Sequence, residues 1–305
     1  VAVDLDRADA DPFGECDLMN SRNYMKTTLL LATMSAIVLL IGSQIRGGAY
    51  LPLALAFAVV MNGVAYFFSD KIAILSARAK PVTEAEFPEL YRIVRGLAGR
   101  AGMPMPRLYV SPSQQPNAFA TGRSPKHAAV AVTQGILPIL TSRELEGVLA
   151  HELSHVKNRD ILISSVAATM GAIIMFLARL AWFIPLGGGD RDRNPLAELA
   201  LVILGPIAAL LIQMAVTRSR EFGADSSGAR LTADPLALAN ALRKIEAYSR
   251  GTQPATANPS TAHLFISNPF KFSGGGLAKL FSTHPPTAER VARLEAMAYD
   301  PYKRP

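Results

Sequence analysis

His151-Glu152-Leu153-Ser154-His155 sets two imidazoles four residues apart, with a carboxylate directly after the first. On a helix, positions i and i+4 share one face, one turn apart, so both rings reach the same point. Two neutral imidazoles converging in this way suit Zn2+, a borderline-soft cation that takes nitrogen ligands at about 2.0–2.1 Å. Glu152 is placed to take a proton from a water activated by such an ion without ligating it. H-E-x-x-H on a helix is the pattern that carries hydrolysis of a peptide bond in this way. The alternative is a solvated helix with two surface histidines. Val148, Leu149, Leu153 and Val156 give the segment an apolar face, which argues against that alternative.

A hydrolytic zinc needs a third protein ligand and an open position. The best candidate is Glu221, in Thr217-Arg218-Ser219-Arg220-Glu221-Phe222-Gly223-Ala224-Asp225. It lies just past an apolar run, as His155 lies just before one. If those two runs form an antiparallel hairpin, both segments return to the same side. Asp225, four residues after Glu221, is placed to accept the spare N–H of a ligating histidine and fix its tautomer. Arg218 and Arg220 are either plain juxtamembrane charges or one of them neutralises this acidic group, and Arg220 is also a candidate oxyanion donor. His284, in Ser282-Thr283-His284-Pro285-Pro286, is either a further oxyanion donor or ligand, or the entry to the helix that follows. His127 and His263 have no partner at metal spacing.

The elements that must position these groups are strongly apolar. Half of the 305 residues are hydrophobic and 18% are charged, against about a quarter charged in soluble domains. The excess lies in four runs: Thr27–Ile45, Ala49–Phe68, Ile161–Pro185 and Leu199–Val216. Each approaches the about 20 helical residues that cross a bilayer, which predicts four transmembrane helices in two hairpins. Arg22 and Lys26 precede the first run, Lys71, Arg78 and Lys80 follow the second, and Arg46 alone lies between them. The excess of cations places the N-terminus and everything after Phe68 in the cytoplasm. Besides Arg179 the runs carry almost no ionisable group, which argues against a polar transport path. The net charge is +7, but no basic block runs five residues, so no nucleic-acid partner is expected. A single cysteine, Cys16, rules out a disulfide within the chain.

The chain therefore divides into an acidic leader over 1–26, expected to be disordered, a transmembrane hairpin over 27–68, a soluble domain made of 69–160 and 217–305, and a second hairpin over 161–216. Periodicity in the soluble part predicts helices over Glu84–Ala101, capped by Thr83, and over Ser142–Asp160, capped by Ser142. Further helices are predicted over Thr217–Leu231, Asp234–Ser249 and Thr287–Ala298. Strands are predicted at Arg107–Val110, Asn117–Gly122 and His127–Thr133. The class is α+β, mainly helical, with a small β-sheet. The His127–Thr133 strand is expected to be an edge on which a peptide adds as a further strand.

HELSHVKNRD, TRSREFGADSSGAR after an apolar hairpin, AHLFISNP and FSTHPPTAERVARL, together with PNAFATGR and AVAVTQGIL, closely resemble the HtpX-type membrane zinc metalloproteases over about residues 21–300. The resemblance implies a gluzincin-type catalytic domain holding one Zn2+ per subunit on His151, His155 and Glu221, with Glu152 as general base. It also implies a multi-pass protein of the cytoplasmic membrane whose active site faces the cytoplasm. Its partners would be the lipid bilayer and misfolded or damaged membrane proteins, cleaved in quality control under stress. The acidic leader before Met19 departs from the family pattern. An inactive scaffold that keeps zinc for folding is the competing reading, and Glu152 argues against it, because a structural site needs no base.

Overall fold

The computed structural model describes residues 12–44, 49, 51–181, 218–251 and 285–299. In chain order these form α1 (Pro12–Gln44), α2 (Leu51–Phe67), α3 (Ser69–Ser76), β1 (Lys80–Pro81), α4 (Pro88–Ala101), β2 (Arg107–Ser111), β3 (Ala118–Thr121), β4 (Ala129–Thr133), α5 (Ser142–Lys157), α6 (Asp160–Ala181), α7 (Arg218–Thr232), α8 (Pro235–Gly251) and α9 (Thr287–Tyr299). The protein is mainly helical with one small mixed sheet, in the order β1-β2-β4-β3. The pairing β2–β4 is parallel, and β1–β2 and β3–β4 are antiparallel. All five residues of β4 are buried. The strand expected at an edge is thus an inner one, and the outer strand on that side is β3.

Helix α5 is buried along most of its length, from Glu144 to Val156. Its apolar residues Val148, Leu149 and Leu153 share one core with Leu97 of α4, Val130 and Val132 of β4, Leu238 and Ile245 of α8 and Leu294 of α9. Two features bring the neighbours close. A Cβ on Gly147 would stand 3.0 Å from the backbone nitrogen of Leu238, and one on Gly228 of α7 would stand 2.8 Å from that of His151.

Helix ends follow local chemistry with small shifts from expectation. The α5 cap is Thr141, one residue before the expected Ser142. Its hydroxyl accepts from the Glu144 N–H while the Glu144 carboxylate accepts from the Thr141 N–H, a reciprocal box. Lys244 of α8 donates to the same Glu144 carboxylate at 2.7 Å, so the cap also ties two helices. Helix α4 begins at Pro88, later than expected, because proline suits the first helical turn. Thr83 and Glu86 still bond each other, but ahead of the helix. Gly102, at φ +66°, ends α4.

Helix α1 begins at Pro12, so residues 12–26, expected to be disordered leader, are helical. It packs on α2, where Asn62 donates to Ser35 at 2.7 Å. Leu30, Met34, Met61 and Ala65 then form a second core with Leu162, Ile163, Val166 and Met170 of α6. No single helix among the described residues is long and apolar enough to cross a membrane. Only α2 and α3 pass together, and they are bent by 69°. At 17 residues α2 is about 26 Å long, short of the about 30 Å of a bilayer core. The run expected over Leu199–Val216 lies outside the described residues, as does the end of the one from Ile161.

The box at Thr141 has a measurable worth. Thr141→Ala should cost about 1 kcal/mol, seen as a fall of roughly 2–4 °C in the thermal midpoint of the solubilised protein. Burial pushes the Glu144 carboxyl up, but Lys244 and Thr141 outweigh it and hold it below the usual range. A depressed carboxyl stabilises the fold above its unfolded pKa of about 4.3, and that contribution is lost as pH falls through the folded value. The stability gap between wild type and Glu144→Gln should therefore be full at neutral pH and close in acid.

Candidate metal centre

Helices α5 and α7 cross where Gly228 lets the two backbones approach, and there the side chains expected from the sequence converge. One ligand atom each from His151, His155 and Glu221 lies within 4.8 Å of the others. Glu221 Oε1 is 3.4 Å from His155 Nε2, and Glu221 Oε2 is 3.8 Å from His151 Nε2. Ligands at about 2.0–2.1 Å in a tetrahedron stand about 3.3 Å apart, so the donor set and its spacing fit a zinc-sized ion with little adjustment. The charge fits as well. The carboxylates of Glu152, Asp160, Glu221 and Asp225 are all buried here. Arg290 is fully buried beside Asp225, and Arg220 is partly buried beside Asp160 and Glu221. Four carboxylates against two guanidinium groups leave an excess of negative charge, which a proton on His155 or a bound cation offsets. Buried charges persist only when paired or bound to metal.

The partners of the two histidines differ. His151 Nδ1 lies 2.9 Å from Asp225 Oδ1, as the four-residue spacing from Glu221 predicts. Burial pushes Asp225 up, but Arg290 and then His151 hold it far below the usual carboxylate range. His155 Nδ1 lies 3.4 Å from Asp160 Oδ2. That contact was not expected. The helix from Ser142 was predicted to run through to Asp160, whereas it stops at Lys157. Arg159, at φ +57°, then turns the chain into α6. A left-handed conformation at a non-glycine residue costs on the order of 1 kcal/mol. The turn brings Asp160 back onto α5. Burial disfavours charge on His155, yet Asp160, Glu221 and Glu152 outweigh it and raise its pKa to about 10. A metal ion at this point competes with that proton.

Glu152 faces the sheet. Its Oε2 accepts the backbone N–H of Ala120 at 2.9 Å, from the outer strand β3. Arg290 was also missed. It projects from α9 with Nε and Nη2 donating to the two oxygens of Asp225 at 2.8 and 2.7 Å, a role expected of Arg218 or Arg220. One signal could have found it: Arg290 shares the buried face of α9 with Leu294, one turn on. His284 and His263 lie outside the described residues. His127 is exposed, with Ser124 and Arg123 as neighbours.

A mainly helical fold around a small mixed sheet, with two histidines and a glutamate converging beside a second glutamate, defines a metallopeptidase. The model of peptidase family M48 matches residues 84–298, and the chain belongs to that family of metalloproteases. It is 53% identical over 281 residues to the protease HtpX homolog of Ralstonia pickettii (strain 12J), covering 90% of this chain and 97% of that one. It is 52% identical, with the same coverage, to the protease HtpX homolog of Burkholderia mallei (strain SAVP1). Among solved structures, the crystal structure of S. mikatae Ste24p matches at a TM-score of 0.49 and 18% identity, covering 91% of this chain and 67% of that one.

The crossing at Gly228 is testable. In Gly228→Ala the three atoms nearest the new Cβ are backbone atoms of Ala150 and His151, so α5 and α7 must part. This should cost about 1–3 kcal/mol and lower the metal content of purified protein. Gly223→Ala, in the same helix but with nothing within 4 Å, should leave both unchanged or gain slightly in stability.

Proposed function

We propose that the chain is a zinc-dependent endopeptidase of gluzincin type, anchored in the cytoplasmic membrane with its active site on the cytoplasmic side. The observation that carries this is the convergence of His151, His155 and Glu221 beside a Glu152 that faces the sheet edge. One Zn2+ per chain held there supplies Lewis acidity, activating a water near neutral pH and polarising the scissile carbonyl. Glu152 takes the proton from the attacking water at its carboxylate and passes it to the leaving amine. The Ala120 N–H, held on Oε2, aims that carboxylate. Asp225 and Asp160 orient His151 and His155 through their Nδ1 atoms. Arg220 lies close enough to Glu221 to feel its charge, and it is retained as a candidate for stabilising the oxyanion.

The substrate strand is assigned to β3 in place of the inner β4. Thr133 donates to Asn117, and 118 pairs with 132 between that bond and the next. The N–H and C=O of Ala118 and Ala120 therefore turn away from β4; the Ala120 N–H is held by Glu152, which leaves the Ala118 N–H and C=O and the Ala120 C=O for a peptide. Pairing through backbone gives affinity with little sequence preference. That supports misfolded or damaged membrane proteins as substrates, in quality control and the stress response.

Membrane residence is supported by Leu40, Leu53, Leu55, Val59, Val60 and Phe67, all exposed on α1 and α2, since apolar groups exposed together mark a membrane or partner surface. Arg159 lies over Tyr24, Arg123 over Phe67 and Lys71 over Phe68. Phe67 and Phe68 lie at the end of the apolar run of α2 and Tyr24 precedes that of α1, the positions that aromatic and basic residues take at a membrane surface. On this reading 27–68 and 161–216 are the membrane hairpins, and 69–160 with 217–305 form the protease domain.

Glu152→Gln should keep its zinc but lose cleavage of an unfolded substrate such as casein by at least about a hundredfold; retained cleavage removes the mechanism. Strand addition has its own signature. Methylating alternate amide nitrogens of a peptide substrate should raise KM about fivefold per lost hydrogen bond, while methylating the intervening ones should not. An equal effect at every position contradicts pairing on β3.

A further inference from the structure

Arg290 is 2% exposed, among the most deeply buried large side chains of the molecule. Its guanidinium grips Asp225 with two hydrogen bonds, and Asp225 in turn lies on His151 Nδ1. Three residues further along α9, Arg293 stacks on the Phe222 ring of α7, 3.7 Å from its centroid. The contacts pair Phe222 with Arg293 and Asp225 with Arg290, so the two helices meet in opposite directions at two points of equal spacing. Phe222 is the immediate neighbour of Glu221. Both contacts therefore resist rotation of α7 about its axis, and that rotation decides where Glu221 and Asp225 point.

We propose that Arg290 is a positioning residue of the metal centre: through Asp225 it fixes the His151 ring, and with Arg293 it holds α7 in the rotation that presents Glu221. The inference rests on His151, His155 and Glu221 being metal ligands. A carboxylate held by a single histidine can pivot, whereas a two-point guanidinium fork fixes its plane. The charge of Arg290 acts the other way. Its Nη2 lies 3.5 Å from the His151 ring, where a cation repels an incoming metal ion. Orientation and electrostatics thus predict opposite signs when Arg290 is removed.

The test is competition for zinc between the full-length solubilised protein and a chromophoric chelator, with thermal midpoints recorded on the same samples. Arg290→Gln should raise the zinc Kd about tenfold or more. Arg290→Lys keeps the charge without the fork and should not restore affinity. Unchanged or tighter binding in Arg290→Gln overturns the proposal. If that variant fails to fold, Asp225→Leu with Arg290→Met decides, because removing both buried charges leaves neither unpaired. This pair should fold and still bind zinc weakly; wild-type affinity in it assigns Arg290 a structural role and overturns the proposal. A wild-type chain that binds zinc no better than its His151→Ala, Glu221→Ala variant overturns the metal-site reading itself, and the proposal with it.

Discussion

A buried excess of negative charge where α5 crosses α7 is the constraint on which the rest of the structure depends. A helical core gains from apolar burial and loses from every uncompensated charge within it. Here the carboxylates of Glu152, Asp160, Glu221 and Asp225 are all buried around the crossing of α5 and α7. Such a cluster persists only if cations reach it and every oxygen has a donor. Several features follow from that need. Gly228 removes the side chain that would keep α7 away from His151. Arg290 enters from α9, far along the chain, and Arg220 from α7 itself. The remaining negative charge is of the sign that favours a bound cation.

Placement of the base follows from the sheet. The parallel pairing of β2 with β4 leaves β3 outermost, next to α5. In an antiparallel pair every second residue turns its amide groups away from its partner. Ala120 is such a residue, and its N–H meets Glu152. The outer strand β3 thus holds the Glu152 carboxylate, and Ala118 of that strand belongs to the core that runs from Val130 to Leu149.

The legible parts of the site were those encoded at helical spacing. His151 and His155 are four apart and both lie beside Glu221, while Glu221 and Asp225, also four apart, meet the two ring nitrogens of His151. What was not legible depends on distance or on a single dihedral. Arg290 follows Asp225 by 65 residues, and no local pattern links them. Asp160 reaches His155 only because Arg159 adopts a left-handed conformation that its sequence does not announce. Other misses had signals. Ala129–Thr133 carries small or branched residues at every position, the mark of a strand covered on both faces. Thr141 has a glutamate three residues on, whereas Ser142 has Leu145, so the capping rule already chose between them. Hydrophobic runs located the apolar helices, but run length did not show that α2 ends at Phe67 and bends into α3.

The break after Lys157 joins these threads. A continuous helix from Thr141 into the apolar run would be favoured by local propensity and would avoid the cost of Arg159. It would also point Asp160 away from His155, since residues five apart on a helix lie about 140° apart around the axis. The broken chain places Asp160 on the second histidine and turns α6 to pack on α1 and α2. It also sets the Arg159 guanidinium over Tyr24 of α1. One residue in an unfavourable conformation thereby couples the ligand geometry to the packing of the apolar helices. Tyr24, Arg159, Asp160 and His155 thus form one chain of contacts from α1 to the histidine.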